Sequence, residues 1–173
     1  CLLIMECIFV SVYSRSLQGL YNVMNTISYG NIIMPSYPKK LVAVLNATVD
    51  ISNLLVALAH MAVGLGASIE NKEELRLADY EDADGNSHPN ISELPFIILK
   101  AKNSSQLRKL RQLLLENSVR HVDFSNNIMY IGTSQAHELS RKSKEADLEY
   151  YGIVIFDDWE VVTDLTKRFS LWK

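Results

Sequence analysis

The sequence predicts a single α/β domain, a mixed sheet of four to five strands flanked by helices. Three observations carry that expectation. Short runs of aliphatic and β-branched residues, "LVAVLN" at 41–46, "FIILK" at 96–100 and "YGIVIF" at 151–156, read as buried strands. Longer segments with helical periodicity lie between them, the alternation that builds layered α/β structures. The 173 residues, 48% hydrophobic and 21% charged, are enough for one core and have the composition of a folded globular chain.

Taken in order, the first 38 residues stand apart, with only two charged residues, Glu6 and Arg15, and no clear period. "CLLIMECIFV" is too short to span a bilayer, and it is read as neither a signal peptide nor an anchor. Met34 opens "MPSYPKK" just ahead of the first strand pattern. Translation is therefore expected to start there, with residues 1–33 upstream sequence. The domain is expected over 39–173, and 1–38 form an N-terminal extension.

"LVAVLN" is followed by the loop "ATVD", and Asp50 or Ser52 can cap a helix running to about Gly66. "ELRLADYEDADGNSHPNISELPFIILKA" predicts a strand, a polar turn centred on Asp84-Gly85, and a second strand from Phe96 to Lys100. In "NSSQLRKLRQLLLEN", Leu107, Leu110 and Leu114 share one face, with Arg108, Lys109, Arg111 and Gln112 around the rest, which makes an amphipathic helix. "VRHVDF" reads as a strand, "SQAHELSRKSKEADLEY" as a polar helix, "YGIVIF" as a buried strand, "DWEVVTDLTKRF" as the last helix, and "SLW" as a terminal extended piece.

Composition also narrows the function classes. A net charge of −3 gives no basic field over the whole surface, so any RNA contact would be a local patch, with Arg108, Lys109 and Arg111 the candidates. Both cysteines, Cys1 and Cys7, precede the domain. That leaves the domain without a disulfide framework or a cysteine metal site, and a cytoplasmic setting is the expectation. "DYEDADGNSHPN" gathers Asp79, Glu81, Asp82, Asp84 and His88, but aligned to a calcium loop it puts Tyr80 first and Ile91 last, where oxygen ligands are required. A tight turn explains these acids better than a metal, and no metal or cofactor is expected. No Gly-rich phosphate loop, HExxH or GxSxG motif occurs.

The first helix holds the most suggestive polar pair. At 100° per residue, Asn53, Ala57, His60 and Gly64 fall within roughly 60° of one another, a stripe of small residues between a carboxamide and an imidazole. The imidazole of His60 suits a general base or a hydrogen-bonding ligand contact. The plainer reading is a core histidine bonded to a carbonyl, with Asn53 completing the cap. Asp123 ends a strand where α/β sheets often deliver functional groups, and it shares a strand face with His121. Asp50 at the helix start and His88 in the acidic loop are further candidates for lining a cleft. "FDDW" most simply caps the last helix through Asp157 or Asp158.

"KKLVAVLNATVDISNLLVALAHMAVGLG", "YEDADGNSHPNISELPFIILKA" and "YYGIVIFDDWEVVTDLTKRFSLW" together resemble the bacterial family catalogued as domain of unknown function 2000. More distantly, the order of elements is similar to peptidyl-tRNA hydrolase type II. The second resemblance implies a cleft beside the first helix and a dimer. It also implies a catalytic set in which His60 takes the histidine place and Asp123 the aspartate place. Asn53 stands where a lysine is expected and Ala57 where a glutamine is, and Asn126 or Asn127 falls near a threonine place. Most of the polar catalytic set is absent, and with it the positive charge that would steady an oxyanion.

The expected function is therefore a cytoplasmic domain with a small ligand-binding cleft beside the first helix. Its expected catalytic residues are His60 and Asp123, and its ligand-binding residues are Asn53, Asp50, His88 and Asn126. The ligand is a small molecule or tRNA-like. A hydrolase with a degenerate site and a noncatalytic protein- or RNA-binding module are the alternatives.

Overall fold

The computed structural model describes residues 37–129 and 134–173, with the backbone alone for 134–137. The N-terminal extension and the expected start at Met34 lie outside the described residues. Five strands form one mixed sheet in the order β5-β6-β1-β4-β7, and β2 and β3 form a separate two-stranded sheet. The strands are β1 (Lys39–Asn46), β2 (Leu77–Glu81), β3 (Ser87–Ser92), β4 (Phe96–Ala101), β5 (His121–Ser125), β6 (Tyr150–Asp158) and β7 (Ser170–Leu171). The helices are α1 (Ile51–Ser68), α2 (Ser104–Glu116), α3 (Ser134–Lys142) and α4 (Trp159–Thr166).

β1 runs parallel to β4 and antiparallel to β6, which is itself antiparallel to β5. β1, β4 and β5 therefore point the same way, and their carboxyl ends share one edge of the sheet. Strand alternation divides the side chains between two cores. Ala43, Leu45, Phe124, Val154 and Phe156 pack against Leu54, Ala57, Met61 and Leu65 of α1. On the opposite face Val42, Val44, Leu99, Ile153 and Ile155 pack against Leu107, Leu110 and Leu114 of α2 and Val162 of α4. The central strands are buried on both faces, which is why they read as continuous apolar runs.

α1 leaves β1 on one face and returns to β4, whereas α2 leaves β4 on the other face and returns to β5 at the far side. Adjacent parallel strands whose connections depart to opposite faces open a crevice at their carboxyl ends. In this sheet those ends carry the loop 47–50 and the start of α2. Asn46 is buried there, donating from Nδ2 to the Tyr150 carbonyl at 3.0 Å and accepting from the Thr48 amide at 3.1 Å.

The acidic segment departs from expectation. One strand was expected before Phe96, but 77–92 folds into a hairpin, β2 against β3. Its turn is held by Asp82, which accepts from the amides of Asp84 and Asn86, both at 2.9 Å, and by Gly85 at φ +83°, a left-handed conformation that glycine adopts without steric cost. The polar helix expected over 134–150 stops at Lys142, and a short 3-10 turn, 145–147, leads into β6.

Candidate functional site

α1 is positioned by a close contact. A Cβ at Gly152 of β6 would lie 2.7 Å from Leu45 Cδ2 and 2.9 Å from Met61 Cε, so glycine is what lets the helix settle on the sheet. The Asp50 carboxylate caps α1, accepting from the Ser52 amide at 2.9 Å and from its hydroxyl, and these bonds lower its pKa. Asp50 thus acts at the helix end.

The stripe anticipated on α1 faces β5. Ala57 is fully buried, and a Cβ at Gly64 would meet Val122 Cγ1 at 3.8 Å. Ala57 shares its core with Val122 and Phe124, whereas Gly64 is exposed and has room for a side chain at ordinary contact distance. His60 is exposed above this core, its ring 6.0 Å from that of Phe124 and inclined by 26°. Phe124 in turn lies 6.1 Å from the Tyr151 ring. Asn53, two turns nearer the carboxyl edge, is half-buried.

Asp123 does not join His60. Its neighbours in β5, Val122 and Phe124, face α1, so alternation turns Asp123 to the α2 side, where it accepts from Arg111 Nε at 2.7 Å. The remaining candidates are also separate. The Asn126 carboxamide accepts from the Glu149 amide at 3.2 Å, and its own amide donates to the Glu149 carbonyl at 2.9 Å, which ties the end of β5 to β6. His88 contacts Asp82 at 3.4 Å and stacks on Tyr80 at 4.8 Å, both within the hairpin. Of the six expected residues, only Asn53 and His60 share a face of α1, about two turns apart, and Asp50 caps its start.

Two groups escaped sequence reasoning. On the α2 side Tyr150 is buried, and its hydroxyl donates to Glu145 Oε1 at 3.1 Å, the oxygen that also accepts from Arg108 Nε at 3.1 Å. Burial pushes the phenol up to about 12. Arg108 also donates to the carbonyls of Glu145, Ala146 and Leu148. Arg108 and Arg111, expected as a cationic patch, are thus engaged within the chain. The second group is Lys40, buried at the start of β1, whose Nζ donates to Thr163 Oγ1 at 2.6 Å and lies 4.4 Å from the Trp159 ring centre. Desolvation lowers its pKa to about 8, opposed by the Glu160 charge. Neither group has a local motif, because each depends on which face a strand residue takes.

Among the described residues, no cluster of three or more His, Cys, Asp or Glu side chains could hold a metal ion. A family model described as a protein of unknown function, DUF2000, matches residues 39–173. No curated protein matches the chain. A solved structure of a protein of unknown function from Agrobacterium tumefaciens strain C58 is 19% identical with a TM-score of 0.68, covering 80% of this chain and 100% of that one. At that identity the likeness shows a common fold.

Proposed function

The chain belongs to the DUF2000 family over residues 39–173, and we propose that it is a small-molecule-binding α/β domain with its ligand beside α1. The observation that carries this reading is the exposed imidazole of His60 standing over Phe124, with the Tyr151 ring beyond. Phe124 is buried beneath the imidazole, so a planar ring carrying a hydrogen-bonding group would stack on the exposed face of His60 itself. A cytoplasmic location is part of the same reading.

A hydrolase of the peptidyl-tRNA hydrolase type II kind has the accessible His60 in its favour as a base. The carboxylate expected to orient that imidazole, Asp123, is bonded to Arg111 on the other face. We therefore place ligand binding ahead of hydrolysis.

Isotope-edited NMR of the full chain, titrated with a panel of nucleosides and aromatic amides, tests the reading. The expected result is perturbation of the His60, Phe124 and Tyr151 resonances, lost in His60→Ala while the melting temperature holds. Silence of those three residues across the panel would overturn it. Release of peptide from a model peptidyl-tRNA, abolished in His60→Ala, would establish the hydrolase instead.

A further inference from the structure

The two longest runs without a charged residue in the domain 39–173 are 51–69, which contains all of α1, and 124–137, which begins at Phe124. Far apart in the chain, they meet in the fold. His60 of α1 stands over the Phe124 ring, and Ile128 and Met129 are half-buried against the core on that same side of the sheet.

β6 contributes to this side through an irregularity. Phe124 and Ser125 of β5 pair with Gly152 and Tyr150, so Tyr151 is the extra residue of a bulge. Alternation breaks there: Tyr150 packs toward α2, and Tyr151 packs toward α1, with its ring 6.1 Å from that of Phe124. Bulges recur beside binding sites because they re-aim a side chain in this way.

None of these residues is Lys, Arg, Asp or Glu. The charges that bound the α1 run, Asp50 and Glu70, are both carboxylates. Lys72 folds back on the far end of α1, where its Nζ donates to the carbonyls of Gly66 at 2.6 Å and Ala67 at 3.1 Å. The Asn53 and His60 side chains, by contrast, make no hydrogen bond to any described residue. Such groups can exchange hydrogen bonds with a ligand, but they bring no counter-charge to an ion that leaves water to reach them.

We propose that the α1 site selects an uncharged ligand, a neutral planar ring bearing an amide or hydroxyl, over the same ring bearing a carboxylate or a cation. The inference rests on ligand binding at His60 and adds the charge class of what is bound.

Benzamide, benzoate and benzamidine share one ring and nearly one shape, and they differ in charge. Isotope-edited NMR of the full chain at about pH 8, where an ordinary imidazole is neutral, gives a dissociation constant for each from the His60 resonances. Benzamide should bind about tenfold or more tightly than either ion. Gly64→Lys sets a cation one turn from His60 on the same stripe, at a position with room for a side chain. Benzoate should then gain about threefold or more while benzamidine weakens. An ion that binds the parent as well as benzamide does, or an order of affinities unchanged in Gly64→Lys, would overturn the inference and leave ligand binding at His60 standing. Preference of the parent for benzoate would do the same, and would point to Arg141, Lys142 and Lys144 around Ser143, whose hydroxyl accepts from Asn127 Nδ2 at 2.7 Å. Silence of His60 toward all three probes would remove the binding reading and this inference with it.

Discussion

Arg111 Nε lies 2.7 Å from Asp123 Oδ2 on the face of the sheet covered by α2, the face turned away from His60. The pair links α2 to the edge strand β5, and each side chain is a little under one third exposed. Asp123→Ala leaves a half-buried guanidinium without its carboxylate and should cost about 1–2 kcal/mol in chemical denaturation. His60→Ala, by contrast, should stay within about 0.5 kcal/mol of the parent. A large loss of stability on removing His60, with none on removing Asp123, would reverse the roles given to them here.

Lys40 makes stability rise with alkaline pH. Its pKa is about 8 in the folded chain against an ordinary 10.5, so between these values the unfolded chain binds more protons and raising the pH favours the folded state. The penalty of a charged, buried amine is fully present below about pH 8 and gone by about 10.5, a gain on the order of 2–3 kcal/mol. Lys40→Met, which keeps the stem and drops the charge, should flatten this rise and stabilise the protein at pH 7. Urea melts from pH 7 to 10 check it.

Tyr150 works in the opposite sense at higher pH. Its hydroxyl ionises near 12 when folded and near 10 when unfolded, so above about pH 10 the folded chain holds more protons and stability falls. Tyr150→Phe should remove that alkaline decline at the cost of the bond to Glu145. The measurement is the difference between melts at pH 10 and pH 11.

Glu74 governs the acid limb. Bonds from Arg120 and Lys39, at 2.9 and 2.6 Å, hold its carboxyl at about 2, below the ordinary 4.5. Stability from this cluster is complete above about pH 4.5 and is lost as pH falls toward 2. Glu74→Gln should lower stability at pH 7 and show a shallower acid transition, read by circular dichroism. An acid profile unchanged from the parent would refute the assignment.

Gly152→Ala tests the seating of α1. The added methyl must displace the ends of Leu45 and Met61, and overpacking of this kind costs about 1–3 kcal/mol. Met61→Ala in the same chain opens room and should recover part of that loss, a coupling visible in a double-mutant cycle.

Much of the architecture is legible in one dimension. The runs at 41–46, 96–101 and 151–156 must be strands buried on both sides because they are apolar without alternation, and the leucines at 107, 110 and 114 set one face of α2 to the core. The hairpin was half visible, since Asp84-Gly85 marked its turn while "SHPNIS", polar and interrupted by proline, carried no strand signal.

The sequence by itself determined the buried strands, the helices that cover them and the stripe that pairs Asn53 with His60. It also determined that Val122 and Phe124 lie on one side of their strand and His121 and Asp123 on the other. Only the tertiary structure decided which side looks at α1. Both faces of the sheet are covered, so period-two patterning separates the faces without saying which helix lies over each. The routes of the chain, β1 to β4 through α1 and β4 to β5 through α2, fixed that choice and sent Asp123 to Arg111. The same geometry made Ala57 a packing residue and left the uncharged outer side of α1 exposed among the described residues.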